Sequence, residues 1–179
     1  LEDIFKSNPN LWRIALLRYF NPIGSHPTGL IGEKPLLEST NIFPKICEVA
    51  LNKKKVFYIY GNSWPTNDGT CIRDYIHIMD LVDGHIHAYE YLLSNQPKII
   101  SFNLGTGFGT SVLELLSIFR QVNNCDINYK FVEKRAGDVA ICYADNSKAK
   151  NILNWTPKRC IEEMCQDGWE WYKNNLKAK

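Results

Sequence analysis

Long apolar runs are missing from this sequence: nothing in its 179 residues approaches the roughly 20 consecutive apolar positions that a membrane helix needs. No charged-then-apolar leader opens it either. The two absences lead to the expectation of a soluble, unexported, cytoplasmic protein. A surplus of one charge is also missing. Lys and Arg number 21 against 19 Asp and Glu, and the net charge of +2 is too even for a nucleic-acid footprint or an anionic-membrane patch. The six cysteines (Cys47, Cys71, Cys125, Cys142, Cys160, Cys165) contain no C-x-x-C and outline no disulfide scaffold in a chain of this length, so they read as reduced thiols. There is no internal repeat, no low-complexity tract and no linker long enough to separate independent domains. What is present is an ordinary globular mixture, 45% hydrophobic and 22% charged, sufficient to bury one sizeable core.

Periodicity gives helices alternating with strands, an α/β pattern. The chain opens inside a helical phrase, LEDIFKSNPN, which predicts a helix tail over Leu1–Ser7 and further sequence upstream of it. Trp12–Phe20 is an apolar run suited to a buried strand, followed by a long polar loop. Further on, helices are expected over Asn41–Leu51, from Met79 through Leu92, over Ser111–Val122, Ser147–Leu153 and Ile161–Asn174. Strands are expected over Val56–Tyr60, Ile99–Leu104 and Tyr129–Val132. Thr110 or Ser111 should cap the Ser111 helix, Glu114 lying three residues past the latter as in a capping box. Asn154-Trp155-Thr156 spells a glycosylation acceptor and is read as chance, since no export signal accompanies it.

Three features could carry chemistry. Gly105, Gly107 and Gly109 in NLGTGFGTS follow a strand and precede a helix, where a dinucleotide enzyme puts its phosphate loop. The third glycine falls one place early, however, and Asp126 precedes the next strand instead of ending it, so the loop is read as a structural turn. His85 and His87 are two apart on a helix and face different ways, while His26 and His77 lack thiol companions at ligand spacing, so no metal site is expected. Arg73 and Arg135 each lie in a turn among small residues, where a guanidinium can project into a cleft. Two such forks suit a diphosphate, and surface ion pairs with Asp74 and Asp138 are the competing account.

Four phrases, RYFNPIGSHPTGLIGE (Arg18–Glu33), YGNSWPTNDGTCIRDYIHIMDL (Tyr60–Leu81), NLGTGFGTSVLEL (Asn103–Leu115) and RAGDVAICYAD (Arg135–Asp145), occur in the order found in the UDP-glucose 4-epimerases, a branch of the extended short-chain dehydrogenase/reductases. The chain resembles the carboxyl-terminal half of such an enzyme from end to end. The resemblance implies the last strands of a Rossmann-like NAD domain (residues 1–24) and the smaller mixed α/β nucleotide-sugar domain (residues 25–179), some segments of which return to the NAD-binding sheet. It also implies an NAD-dependent exchange of UDP-glucose and UDP-galactose by oxidation and reduction at the sugar C4, in an intact enzyme that is a homodimer. The family's Tyr-x-x-x-Lys helix and amino-terminal glycine loop do not occur here: none of the nine tyrosines has Lys four residues later, so no catalytic residue is assigned and the chain alone is expected to be inactive.

What remains to carry over by resemblance is grip on the substrate. Tyr19 and Phe20 match residues beside the nicotinamide, and Asn21 an asparagine near the phosphates. Asn41 and Ile42 match a helix start that receives phosphate oxygens, and Tyr58 and Tyr60 a strand whose backbone reads the uracil edge. Arg73 and Arg135 match the diphosphate arginines, Asp138 a carboxylate that accepts the ribose hydroxyls, and Cys142 a position flanking the hexose. The compact thiol at Cys142 resembles the small residue of members that also accept UDP-GlcNAc and UDP-GalNAc. The alternatives are a catalytically silent UDP-sugar-binding module, or part of another nucleotide-sugar dehydratase or decarboxylase.

Overall fold

A computed structural model describes residues 1–34 and 39–176. Residues 35–38 of the long polar loop and the last three of the expected second domain, 177–179, lie outside the described residues. In chain order the elements are helix α1 (Glu2–Ser7), strands β1 (Arg13–Tyr19) and β2 (Asn21–Ile23), helix α2 (Ile42–Ala50), strands β3 (Phe57–Tyr60), β4 (Ile72–Arg73) and β5 (Tyr75–His77), helix α3 (Ile78–Leu93), strands β6 (Lys98–Leu104) and β7 (Thr110–Ser111), helix α4 (Val112–Asn123), strands β8 (Tyr129–Val132) and β9 (Ile141–Cys142), and helices α5 (Ser147–Leu153) and α6 (Ile161–Leu176). The mixed α/β class read from the sequence holds. The five strands that periodicity did not reveal, β2, β4, β5, β7 and β9, are two or three residues long, too short to display an alternation.

Among the described residues the strands form four small sheets. β1 runs parallel to β6, from Arg13↔Lys98 to Tyr19↔Leu104, and β3 parallel to β8. β2 pairs with β5, while β4 lies between antiparallel β7 and parallel β9. Phe20 is the hinge between the first two sheets. Its amide donates to the Leu104 carbonyl at 3.4 Å, and that of Asn21 donates to the Asp74 carbonyl at 2.9 Å. The chain therefore leaves β1 and at once continues as β2 on a different neighbour. β1 has no fully buried residue and pairs on one side only, although its composition suits a strand covered on both faces.

Two apolar cores hold these pieces. The larger joins α2, β3, α4 and α6, with Phe43, Phe119 and Trp169 packed edge to face at centroid separations of 5.7 Å. α6 can approach because residue 168 is glycine: a Cβ there would meet the Phe43 ring. The smaller core packs α3 and α5 on β6 through Leu81, Ala88, Phe102, Leu104 and Trp155. The ends of the helices follow local chemistry. Ser111 and Glu114 form the expected capping box on α4. Asn124 and Asn154 end α4 and α5 in the left-handed conformation that asparagine tolerates, so the sequon residue Asn154 is a helix cap.

Candidate functional site

A cavity of about 310 Å³ opens where the carboxyl ends of the short parallel strands meet the start of α2. Nine of the residues singled out from the sequence line it: Phe20 and Asn21 from the β1–β2 hinge, Asn41 and Ile42 from α2, Tyr58 and Tyr60 from β3, and Arg73, Arg135 and Asp138. Tyr19 and Cys142 do not. The Tyr19 side chain is half exposed and its phenol lies 2.6 Å from Nε2 of His85. The Nδ1 of that imidazole is 2.8 Å from the Leu81 carbonyl, to which it must donate, leaving Nε2 to accept from the phenol. Cys142 is exposed on β9, in register with Arg73.

The two arginines arrive from segments 62 residues apart and are held differently. Arg73 is fastened by Nη1, which donates to the carbonyls of Ile72 at 2.9 Å and Val139 at 2.8 Å. Arg135 lies 4.3 Å over the ring of Tyr60, a stacked cation–π contact. Next to it Lys134 repeats the arrangement, its ammonium 4.3 Å over Trp64 and donating to the Ser63 carbonyl at 3.0 Å. Successive cations after β8 thus rest on the last aromatic of β3 and the next one along the chain. Asp138 bridges the pair: Oδ1 lies 3.7 Å from Nη2 of Arg73, and Oδ2 lies 3.2 Å from Nε of Arg135.

Asp74 is not the ion-pair partner of Arg73 that sequence proximity suggested. It is fully buried and faces the glycine loop, where Oδ1 accepts from the amide and hydroxyl of Thr106 at 2.8 and 2.6 Å. Oδ2 accepts from the amides of Gly107 at 2.9 Å and Ala144 at 3.1 Å. Four donors satisfy the carboxylate without a cation. The structural reading of the loop is correspondingly concrete. Gly107 adopts φ +80°, and a Cβ on Gly105 would come within 2.6 Å of both Ala144 and Asp74.

Asn41 is the N-cap of α2, but its side chain makes no capping bond and instead donates to Glu33 Oε1 at 3.4 Å. The backbone amides of the first turn are therefore not capped by Asn41, and Pro44, inside that turn, contributes none. Lys45 follows on the same helix and lines the cavity. It escaped the sequence reading, although a cation one turn inside a helix whose start is a candidate anion site is a legible signal. The charged lining is Lys45, Arg73, Arg135 and Asp138, three cations and one carboxylate. Tyr75, at the back wall, has its phenol pKa pushed up by burial and remains a neutral hydroxyl. Burial pushes the Cys165 thiol up to about 12 and raises Cys47 well above the ordinary range, which disfavours the thiolate at both.

The class, an extended short-chain dehydrogenase/reductase, is carried by the solved structures that match this fold, a parallel β1–β6 pair beside the cleft at the strand ends. Residues 12–168 match the family described as GDP-mannose 4,6 dehydratase, and the chain belongs to that family. Within it the chain is similar to UDP-glucose 4-epimerases. It is 47% identical to that of Bacillus subtilis over 176 residues, 98% of this chain and 51% of that protein. It is 43% identical to that of Drosophila melanogaster, over 98% of this chain and 50% of that protein. Among solved structures, the UDP-glucose 4-epimerase of Stenotrophomonas maltophila with bound NAD and formylated UDP-arabinopyranose matches with a TM-score of 0.93. That of Bifidobacterium longum in complex with NAD+ and UDP matches at 0.92. Each is 38% identical, over 99% of this chain and 52% of that one. The chain spans about half the length of the relatives it matches.

Proposed function

We propose that this chain is the UDP-sugar-binding portion of an NAD-dependent UDP-glucose 4-epimerase, interconverting UDP-glucose and UDP-galactose. The observation that carries the proposal is the convergence of Arg73 and Arg135, 62 residues apart in sequence, on one cavity. With Lys45 they give the lining a surplus of two positive charges over Asp138, equal and opposite to the two charges of a diphosphate diester. The roles follow the lining. The arginines and the first turn of α2, at Asn41 and Ile42, take the diphosphate oxygens, and Asn21 hydrogen-bonds beside them. The backbone of Tyr58 and Tyr60 reads the uracil edge and Asp138 accepts from the ribose hydroxyls; Cys142, outside the lining but in register with Arg73 on the neighbouring strand, flanks the hexose by resemblance alone. The intact enzyme is a cytoplasmic homodimer in this reading; free thiols are in keeping with the cytoplasmic part, and the homodimer rests on the family resemblance.

NAD, when bound, supplies the oxidant that takes the C4 hydride and returns it. The residues of this chain fit only the nicotinamide end. Tyr19 and Phe20 stand at the carboxyl end of β1, whereas the amides of Thr106 and Gly107 are already bonded to Asp74 and offer nothing to a dinucleotide's phosphates. In this reading residues 1–24 belong to the NAD-binding sheet and residues 25–179 to the sugar-nucleotide domain, with β6, which pairs with β1, as a segment that returns to the NAD-binding sheet. This chain's own work is to grip and orient the substrate.

The alternative reading is a binding module that holds UDP without turnover through the same cationic lining. Titration calorimetry with UDP tests the site under either reading. Binding at micromolar strength that falls about a hundredfold or more in the double variant Arg73→Gln, Arg135→Gln is the expected result. Affinity indifferent to both substitutions overturns the assignment. Product analysis of the full-length enzyme then separates the epimerase from the silent module and from a dehydratase or decarboxylase.

A further inference from the structure

The turn that delivers Arg135 is fastened to the body of the molecule at its first residues. β8 keeps register with β3 as far as Val132, opposite Tyr60, and the Gly61 amide closes the pairing on the Val132 carbonyl at 2.8 Å. The next attachments are made by side chains. Lys134 donates to the Ser63 carbonyl at 3.0 Å and places its ammonium 4.3 Å over Trp64, while Arg135 rests 4.3 Å over Tyr60. Trp64 is itself docked: its indole N–H donates to the Tyr60 carbonyl at 3.1 Å and its amide to the Gly69 carbonyl at 3.0 Å. Residue 61 makes room for both partners. Gly61 has φ +87°, and a Cβ there would lie 2.5 Å from the indole nitrogen and 2.7 Å from Cγ of Lys134. Lys134 is exposed and stands outside the cavity lining.

We propose that Lys134 is a positioning residue, gripping Trp64 and the Ser63 carbonyl so that Arg135, the next residue, stays stacked on Tyr60 with its guanidinium at the cavity. The inference rests on the reading of the cavity as a diphosphate site and adds to it a residue outside the lining. The physical reason is pre-organisation. The Arg135 side chain is 53% exposed, and its turn contains Gly137, at φ +86° with nothing within 4 Å of its Cβ position, so burial does little to fix it. An arginine ordered only when the ligand arrives gives up affinity for the rotamers it loses, whereas one ordered beforehand does not. Lys134 orders its neighbour in the free protein: with residue 134 tied to Ser63, the Arg135 backbone starts from a fixed point beside Tyr60. Trp64 supplies the platform, since indole is the aromatic that attracts a cation most strongly.

Calorimetry with UDP on the 179-residue chain tests it through a double-mutant cycle. Lys134→Gln removes the cation and is expected to weaken UDP about fivefold or more, while Lys134→Arg, which keeps charge, donor and stacking, should hold affinity within about twofold. In the Arg135→Gln background Lys134→Gln should produce no further loss, because the residue it positions is gone. A cation that merely attracts anions from a distance weakens UDP by the same factor in both backgrounds. That result, or full UDP affinity in Lys134→Gln alone, overturns the proposal. Trp64→Leu keeps the charge and removes the platform, which gives a second route should Lys134→Gln not fold: UDP is expected to weaken by about the same factor, and unchanged affinity overturns the proposal. A chain that does not bind UDP, or binds it equally well with Arg135→Gln, refutes the diphosphate reading itself. UDP binding that needs Arg135 and ignores Lys134 refutes only the positioning.

Discussion

The carboxylate of Asp74 accepts the amide of Gly107 at 2.9 Å across 33 residues of chain, and so ties β4 and β5 to the loop that links β6 with β7. The residue before Asp74 is Arg73, so the same two-residue step that anchors the scaffold also delivers a guanidinium to the cavity.

Replacing Asp74 by Ala leaves without their acceptor the amides of the half-buried Thr106 and Gly107 and of the buried Ala144. Urea denaturation should record a loss of about 3–5 kcal/mol. Asp74→Asn puts an amide donor where Thr106 or Gly107 needs an acceptor and should lose somewhat less, about 2–3 kcal/mol.

Gly168→Ala sets two effects against each other. Helix propensity favours Ala in the middle of α6 by about 1 kcal/mol. The new methyl would meet the Phe43 ring, and overpacking of that kind costs about 1–3 kcal/mol. A lower thermal midpoint is expected for the variant, because the contact is with an aromatic ring locked in the larger core.

His77 should make stability pH-dependent. Its Nδ1 accepts the Met79 amide at 3.0 Å as the N-cap of α3, and Nε2 therefore carries the proton and donates to Asp167 at 3.2 Å. Burial holds its pKa below the usual imidazole range despite the carboxylates of Asp167 and Asp80, with Arg159 adding to the depression. Between the folded and unfolded values the unfolded chain binds more protons. The contribution is complete above the unfolded pKa of about 6.5 and is lost as pH falls below it. His77→Asn retains a capping acceptor without a titrating ring, so its denaturation midpoint should decline less than that of the unsubstituted chain as pH falls from about 7 to 5.5.

In the full-length enzyme, Cys142→Tyr should abolish turnover of UDP-GlcNAc and UDP-GalNAc while sparing UDP-glucose. Cys142 is exposed on β9, in register with Arg73, and the expectation rests on the hexose-flanking role that the family resemblance gives it. Equal loss of both activities, measured as separate kcat/KM values, contradicts the idea.

The helices and long strands were legible because they repeat a pattern over many residues: α4 announced itself through Ser111 and Glu114, and β1 and β6 through short runs in which apolar residues predominate. The short strands were not, since Asn21–Ile23 and Tyr75–His77 are strands only by virtue of each other. The site divided in the same way. The cavity positions named from the sequence came through resemblance, because spacing alone left Arg73 and Arg135 as ordinary ion-pair formers. Spacing also proposed the wrong partner: Asp74 adjoins Arg73 in the chain, but strand alternation sends its carboxylate to the opposite side, toward Thr106 and Gly107. Tyr19 and His85, 66 residues apart, could be joined only by the packing of α3 beside β1.

The ammonium of Lys134 over the indole of Trp64 gives the molecule an optical reporter of its own. Trp64 also donates to the Tyr60 carbonyl at 3.1 Å, so its emission is coupled to the turn that carries Arg135 and to the strand beneath it. A ligand that shifts that turn changes the field at one of the chain's five tryptophans, and the difference in emission between the chain and Trp64→Phe isolates that response without a dye or a label.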